Sequence, residues 1–208
     1  MDQLSFGFDT RPAQVSTDLL YFAVLPEPAA AERLVETGRR LKKKYGLSCR
    51  LYPPGRLHVS LAGLGRFSGL PEVAVSAACR IGSRITASPF NVTFDRAASF
   101  RTGSSRALVM RCREGAGALQ AIHRQIIGSL DCSSRPFEPH LTLFYDDYAV
   151  PGVHLEPITW TVRDIVLVHS LYGQGRHRHL RRWPLAPDLR RATGLLASLA
   201  CAAGLVST

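Results

Sequence analysis

His58 and Ser60 stand two apart in the apolar run RLHVSLAGLG, and His140 and Thr142 stand two apart in RPFEPHLTLFYD. Successive side chains of an extended strand point to opposite faces, so each histidine shares a face with the hydroxyl residue two places on. Leu57, Val59 and Leu61 take the other face of the first copy, and Leu141 and Leu143 that of the second. With seven histidines in the chain, one such pair is close to coincidence, and a half-buried, hydrogen-bonded histidine explains it as well. Two copies in the same alternating frame, preceded by Pro53 and Pro54 in one case and by Pro136 and Pro139 in the other, point to a repeated chemical device near a strand start.

Two imidazoles facing one phosphate supply the two proton transfers that phosphodiester cleavage needs. A neutral imidazole takes a proton from water or a ribose hydroxyl, a protonated one gives a proton to the leaving oxygen, and a pKa near 6.5 suits both roles. The Ser60 and Thr142 hydroxyls can donate hydrogen bonds to the non-bridging oxygens, where charge builds in the transition state. His177 and His179 are also two apart, yet no Cys or carboxylate stands near them in sequence. Cys49, Cys79, Cys112, Cys132 and Cys201 form neither a CxxC pair nor a zinc-like cluster, so the expectation is reduced structural thiols, no metal and no cofactor. His123, inside a helical pattern, reads as exposed or interhelical, and His154 reads as part of a turn.

The elements that must position these groups recur in one order. A strand at 19–25 leads to a helix over about 28–45, with Pro28 at its start, Lys42 to Lys44 in its last turn and Gly46 as its stop. The first motif strand follows at 57–64 and a further helix at 71–85. The second half runs strand (107–112), helix (117–130, with Leu119, Ile122, Ile126 and Leu130 on one stripe) and motif strand (139–145). Each motif is followed by a β-rich stretch, at 90–100 and at 158–170, and the motifs lie at an offset of 82 residues. The expected fold is therefore α+β: two similar lobes with antiparallel sheets about an approximate twofold axis, helices outside, and both motifs lining a central cleft. Residues 1–17 read as a mobile leader, 18–186 as one bilobal domain, and 187–208 as a C-terminal helix or tail.

The formal net charge is +10, and only three of the 26 basic residues are lysines. So many guanidinium groups suit a polyanionic partner such as RNA, and a merely solvated surface fits the number equally well. The segment 169–185 reads as a hairpin whose second strand, from Arg176 to Arg182, is basic on both faces; a solvated edge is a simpler reading of it than a phosphate border. No apolar run approaches the roughly 20 residues of a membrane span. The run at 19–25 follows Asp18 and closes at Pro26 and Pro28, as a buried strand does, so a cytoplasmic monomer without membrane contact is expected.

The HVSL and HLTL motifs, with the opening LLYFAVLPEP, the RPFEPHLTL context and the closing RHRHLRRWPL, resemble the two-histidine (2H) phosphoesterase superfamily. The likeness is to its 2′-5′ RNA ligase-like and RNA 2′,3′-cyclic phosphodiesterase branch, and it runs from about Asp18 to Leu185. It implies catalytic roles for His58 and His140 and phosphate contacts for Ser60 and Thr142. The implied activity is metal-independent opening of 2′,3′-cyclic phosphates on an RNA terminus or a cyclic nucleotide, with reverse 2′-5′ ligation as a companion reaction. One departure stands out. Many ligase-like members carry a basic residue about five places after the second His, where this chain has Tyr145, as the cyclic nucleotide phosphodiesterase members do. Tyr145 is then a candidate substrate contact, but it lies an odd number of residues from His140 and needs a bulge or strand end to reach the same face. The rival readings are a 2′-5′ oligonucleotide phosphodiesterase and a non-catalytic RNA- or nucleotide-binding protein.

Overall fold

The computed structural model describes residues 17–102, 105–130 and 136–186. The reading of 1–17 as a leader, but for residue 17 itself, and that of 187–208 as a helix or tail lie outside these residues. Along the chain come β1 (Asp18–Val24), α1 (Pro28–Lys44), a 3-10 turn (Pro54–Arg56), β2 (Val59–Phe67), α2 (Glu72–Gly82), β3 (Phe90–Thr102) and β4 (Ser105–Glu114). Then follow α3 (Ala116–Gly128), β5 (His140–Asp146), β6 (Val153–Val162), β7 (Asp164–Leu171) and β8 (Arg176–Pro184). The α+β class of the sequence reading stands. The strands form one antiparallel sheet in the order β6-β3-β4-β5-β2-β1-β7-β8, in which a single residue pair, Val59 with Leu141, joins the two motif strands at the middle.

Two differences from the sequence reading bear on where the side chains stand. His58 directly precedes β2 instead of lying within it. The β-rich stretch at 158–170 is two strands divided at Arg163, with β6 at the sheet edge against β3 and β7 between β1 and β8. His154, expected in a turn, accordingly pairs with Arg96 inside β6.

Alternation in the strands produces two unequal layers of packing. Leu20, Phe22 and Val24 of β1 join Leu61, Met110, Leu141, Leu143 and Phe144 in the main core under the helices. Burying each such side chain contributes about 1.5–3 kcal/mol, so this face of the sheet carries most of the folding energy. Tyr21 and Ala23 face the other way and form a small apolar cluster with Val166 and Val168, with Leu19 and Leu25 beside them. The helices cover one face: α1 packs against β5 and β6, α3 against β2 and β4, and α2 against β7.

Local chain signals set these helices. The α1 stop at Gly46 is a left-handed turn (φ +60°), where the amides of Gly46 and Leu47 bond back to the carbonyls of Lys43 and Lys42. Gly115 (φ +82°) opens α3, and a Cβ there would stand 2.2 Å from the Asn91 carbonyl oxygen, so only glycine lets β4 turn into α3 against β3. Cys49, Cys79 and Cys112 are unpaired thiols, while Cys132 and Cys201 lie outside the described residues. Among the described residues no helix is long and apolar enough to cross a membrane.

Candidate active site

The pairing of Val59 with Leu141, both fully buried on the helix side, decides where the motif side chains go. In an antiparallel pair the flanking residues oppose one another, so Thr142 lies across from His58 and Ser60 across from His140. All four project from the face that the helices leave uncovered. Ser60 pairs with Ala23, and Thr142 with Val109, which keeps both hydroxyls on that face.

Both histidines are held by the same wiring. The Nδ1 of His58 lies 2.8 Å from the Arg56 carbonyl, and that of His140 lies 2.9 Å from the Glu138 carbonyl. A carbonyl oxygen only accepts, so each Nδ1 carries a proton and Nε2 is the ring nitrogen left outside this bond. The prolines ahead of the motifs build these bends: Pro54–Arg56 is a 3-10 turn, and the Pro139 carbonyl accepts from the Cys112 amide just before β5 starts.

The surroundings of the two rings differ. His58 is half-buried, with the Tyr21 ring centroid 5.0 Å away and that of His177 5.2 Å away, edge-on. Burial holds the His58 pKa below the ordinary imidazole value, against the raising effect of its bond to the Arg56 carbonyl. The Arg56 guanidinium and the imidazoles of His140 and His179 push the same way as burial. His177 lies 3.4 Å from the Tyr21 hydroxyl through its Nδ1, and burial first, then His58 and Arg56, bring its pKa down to about 4. Burial pushes the Tyr21 phenol up. His140 instead meets the Phe100 ring edge-on at 5.4 Å, and Glu138 beside it forms an ion pair with Arg111.

Tyr145 reaches the open face because of the bulge its position requires. Val109 pairs with Thr142 but Ala107 pairs with Tyr145, so β5 carries one extra residue and the odd spacing from His140 is cancelled. Leu143 and Phe144 both turn into the core, the Leu143 carbonyl accepts from the Tyr52 amide, and Tyr145 stays 44% exposed with the Tyr52 ring 6.1 Å away. Arg56 in turn stacks 4.0 Å from the centre of the Tyr52 ring.

The sequence reading missed Tyr21, Tyr52, Arg56, Phe100 and His177 as neighbours of the histidines. Only His177 left a signal, the alternation RHRH in the closing strand. There His177 and His179 pair with Ser170 and Val168 on the open face, while Arg176, Arg178 and Arg181 pair with residues of the helix-side face. The expectation that β8 is an edge strand holds, and its imidazoles border the site all the same. His123, expected to be exposed or interhelical, is half-buried between α3 and β2: its Nδ1 donates to the Leu61 carbonyl at 2.7 Å and its ring stacks on Phe137 at 4.4 Å. Among the described residues no three His, Cys, Asp or Glu side chains converge as a metal site.

Comparisons with known proteins bear on the fold and the family. The chain is 31% identical over 137 residues to the RNA 2′,3′-cyclic phosphodiesterase of Escherichia coli (strain K12), a match covering 62% of this chain and 76% of that protein. The fold is similar to the crystal structure of E. coli LigT complexed with NADP+, with a TM-score of 0.65 at 23% identity over 81% of this chain and 98% of that one. It is likewise similar to a protein of Thermus thermophilus, TT0787, with a TM-score of 0.63 at 24% identity over 82% of this chain and 99% of that one. With residues 25–174, both motifs included, matching the model of the 2′-5′ RNA ligase superfamily, the chain belongs to that family of two-histidine phosphoesterases.

Proposed function

We propose that this protein is a phosphodiesterase that opens 2′,3′-cyclic phosphates on RNA ends or nucleotides, with His58 and His140 as its acid–base pair. The observation that carries the reading is the matched wiring of the two rings. Each Nδ1 is committed to the carbonyl two residues earlier, which leaves Nε2 as the remaining ring nitrogen, and both residues share the open face with Ser60 and Thr142. The sheet order supports the bilobal reading: β2 and β5 meet at the middle, and each of α1 and α3 packs under the other half's motif strand. An approximate twofold axis then passes close to the Val59–Leu141 pair, and the central cleft is the open face above it.

In this mechanism the cyclic phosphate sits between the imidazoles with its non-bridging oxygens on the Ser60 and Thr142 hydroxyls. His58, whose lowered pKa keeps it neutral at neutral pH, takes a proton from water through Nε2. The water oxygen attacks phosphorus and the bond from phosphorus to O3′ breaks. His140 gives its Nε2 proton to O3′, which leaves a 2′-phosphate and a free 3′-hydroxyl. A ribose hydroxyl in place of water gives the 2′-5′ ligation reaction, which in ~55 M water needs both ends held together by binding. Tyr145 and Tyr52 offer aromatic faces beside the pair for the terminal base.

The relative from E. coli is named for this reaction, which favours it over a 2′-5′ oligonucleotide phosphodiesterase. Two complete proton-transfer groups also argue against a binding protein without turnover. Assaying a 2′,3′-cyclic mononucleotide, a cyclic-ended RNA and a 2′-5′ linked oligonucleotide side by side tests the proposal. Turnover of the cyclic substrates to a 2′-phosphate by phosphorus NMR supports it; cleavage of the 2′-5′ linkage alone, or a 3′-phosphate product, contradicts it.

A further inference from the structure

The strand pairing shows which arginines share the face of the two histidines. On β8 the exposed Arg176, Arg178 and Arg181 belong to the helix-side face, and Arg182 on the open face is engaged by Asp164 at 2.6 Å. Arg66, paired with Leu19, lies toward the far end of β2 from His58, and two further arginines on the open face gather on the opposite side of the site. His140 pairs with Arg111, Arg111 with Arg96, and Arg96 with His154, one residue from each of β5, β4, β3 and β6. Directly paired residues stand on the same face of a sheet, so these four form a row across it.

The row borders a cavity of about 220 Å³ lined by Arg96, Arg111, Arg113, Asp95, Glu138 and His154. Three guanidiniums there meet two carboxylates. Arg111 is paired with Glu138, whose own backbone carbonyl holds His140, and Arg113 is paired with Asp95 at 2.5 Å. Arg96 contacts the His154 Nε2 at 3.0 Å, and since a guanidinium only donates, this nitrogen accepts and brings no negative charge. Among the described residues the site therefore has a surplus of one positive charge, centred on an exposed guanidinium. With strands about 4.8 Å apart, Arg96 stands about 10 Å from His140, too far to touch the reacting phosphate yet on the same surface.

We propose that Arg96 and Arg111, flanked by Arg113, form a second phosphate site that takes a backbone phosphodiester on the 5′ side of an RNA chain's cyclic end. The inference rests on reading His58 and His140 as the cyclic-phosphate site. A phosphodiester carries the single negative charge this cavity lacks, and a guanidinium fork grips two of its oxygens at once. A cyclic mononucleotide has no such group, so the site selects RNA ends over small cyclic nucleotides.

The test compares kcat/KM for a cyclic-ended tetranucleotide and for a 2′,3′-cyclic mononucleotide, in the wild type and in Arg96→Gln, at about 50 and 200 mM salt. The oligonucleotide-to-mononucleotide ratio should fall by about tenfold in Arg96→Gln, and the log–log salt dependence of oligonucleotide KM should lose about one unit of slope. Arg39→Gln, at another exposed arginine on α1, should leave the ratio at its wild-type value. An unchanged ratio in Arg96→Gln, or an equal fall in Arg39→Gln, overturns the proposal. A wild type that opens neither substrate contradicts the reading of the histidine pair instead. Fluorescence anisotropy with the same tetranucleotide then decides the subsite by itself: about tenfold weaker binding in Arg96→Gln upholds it, and equal affinity overturns it.

Discussion

Around His58 the chain packs Tyr21, His177 and the Arg56 guanidinium, whereas around His140 it packs Phe100 and opens through Glu138 toward the row of arginines. Backbone wiring is the same in both places, down to the carbonyl that holds Nδ1. Two copies of one motif thus acquire different surroundings from residues on other strands, and at His58 burial lowers the pKa. The proposed division of roles rests on that difference: the enclosed ring, whose pKa burial and then nearby positive groups lower, is the one suited to act as a general base at neutral pH.

The comparison breaks most directly at the rings. His58→Ala and His140→Ala should each lower turnover of a 2′,3′-cyclic substrate by roughly 10² to 10⁴ with the circular dichroism spectrum unchanged. Near wild-type turnover in either variant removes that residue from the mechanism. The hydroxyls come next. Ser60→Ala and Thr142→Ala each remove one hydrogen bond to developing charge, and about 10- to 10³-fold in kcat is expected from each. A loss confined to KM shows instead that the hydroxyl binds ground state and transition state alike.

Much of this was legible in the sequence, because period-two alternation is a local property. HVSL and HLTL announce which side chains share a face, and the prolines ahead of them announce where the strands begin. What failed to show is set by pairing between distant segments. Nothing in RDIVLVHS reveals that Arg163 divides two strands bound for different places in the sheet. His177 meets His58 only through the succession β8, β7, β1, β2, which no spacing in the sequence records. The side on which Tyr145 stands depends on a bulge against β4, a mismatch between two strands that neither strand displays alone.

Tyr145 sharpens the comparison at a smaller scale. Tyr145→Ala should raise KM for the cyclic mononucleotide by about 5- to 100-fold through loss of a stacking face, with kcat little changed. Equal KM values show that the ring does not meet the base. A subtler effect belongs to Arg56, whose positive charge lowers the His58 pKa. Without that charge His58 holds its proton more tightly, so Arg56→Gln should move the acidic limb of kcat/KM toward higher pH. No movement, or movement to lower pH, assigns that limb to another group.

The division of labour between the rings is tested most directly by the pH dependence of kcat/KM for the wild type on a 2′,3′-cyclic mononucleotide. A base that must be neutral and an acid that must be protonated give a bell-shaped profile. Because the His58 pKa is lowered, the neutral form of this base persists to more acidic pH, and the rising limb should have its midpoint below about 6.5. A profile that is flat across the neutral range, or whose rising limb is centred well above that value, contradicts the assignment of His58 as base and His140 as acid.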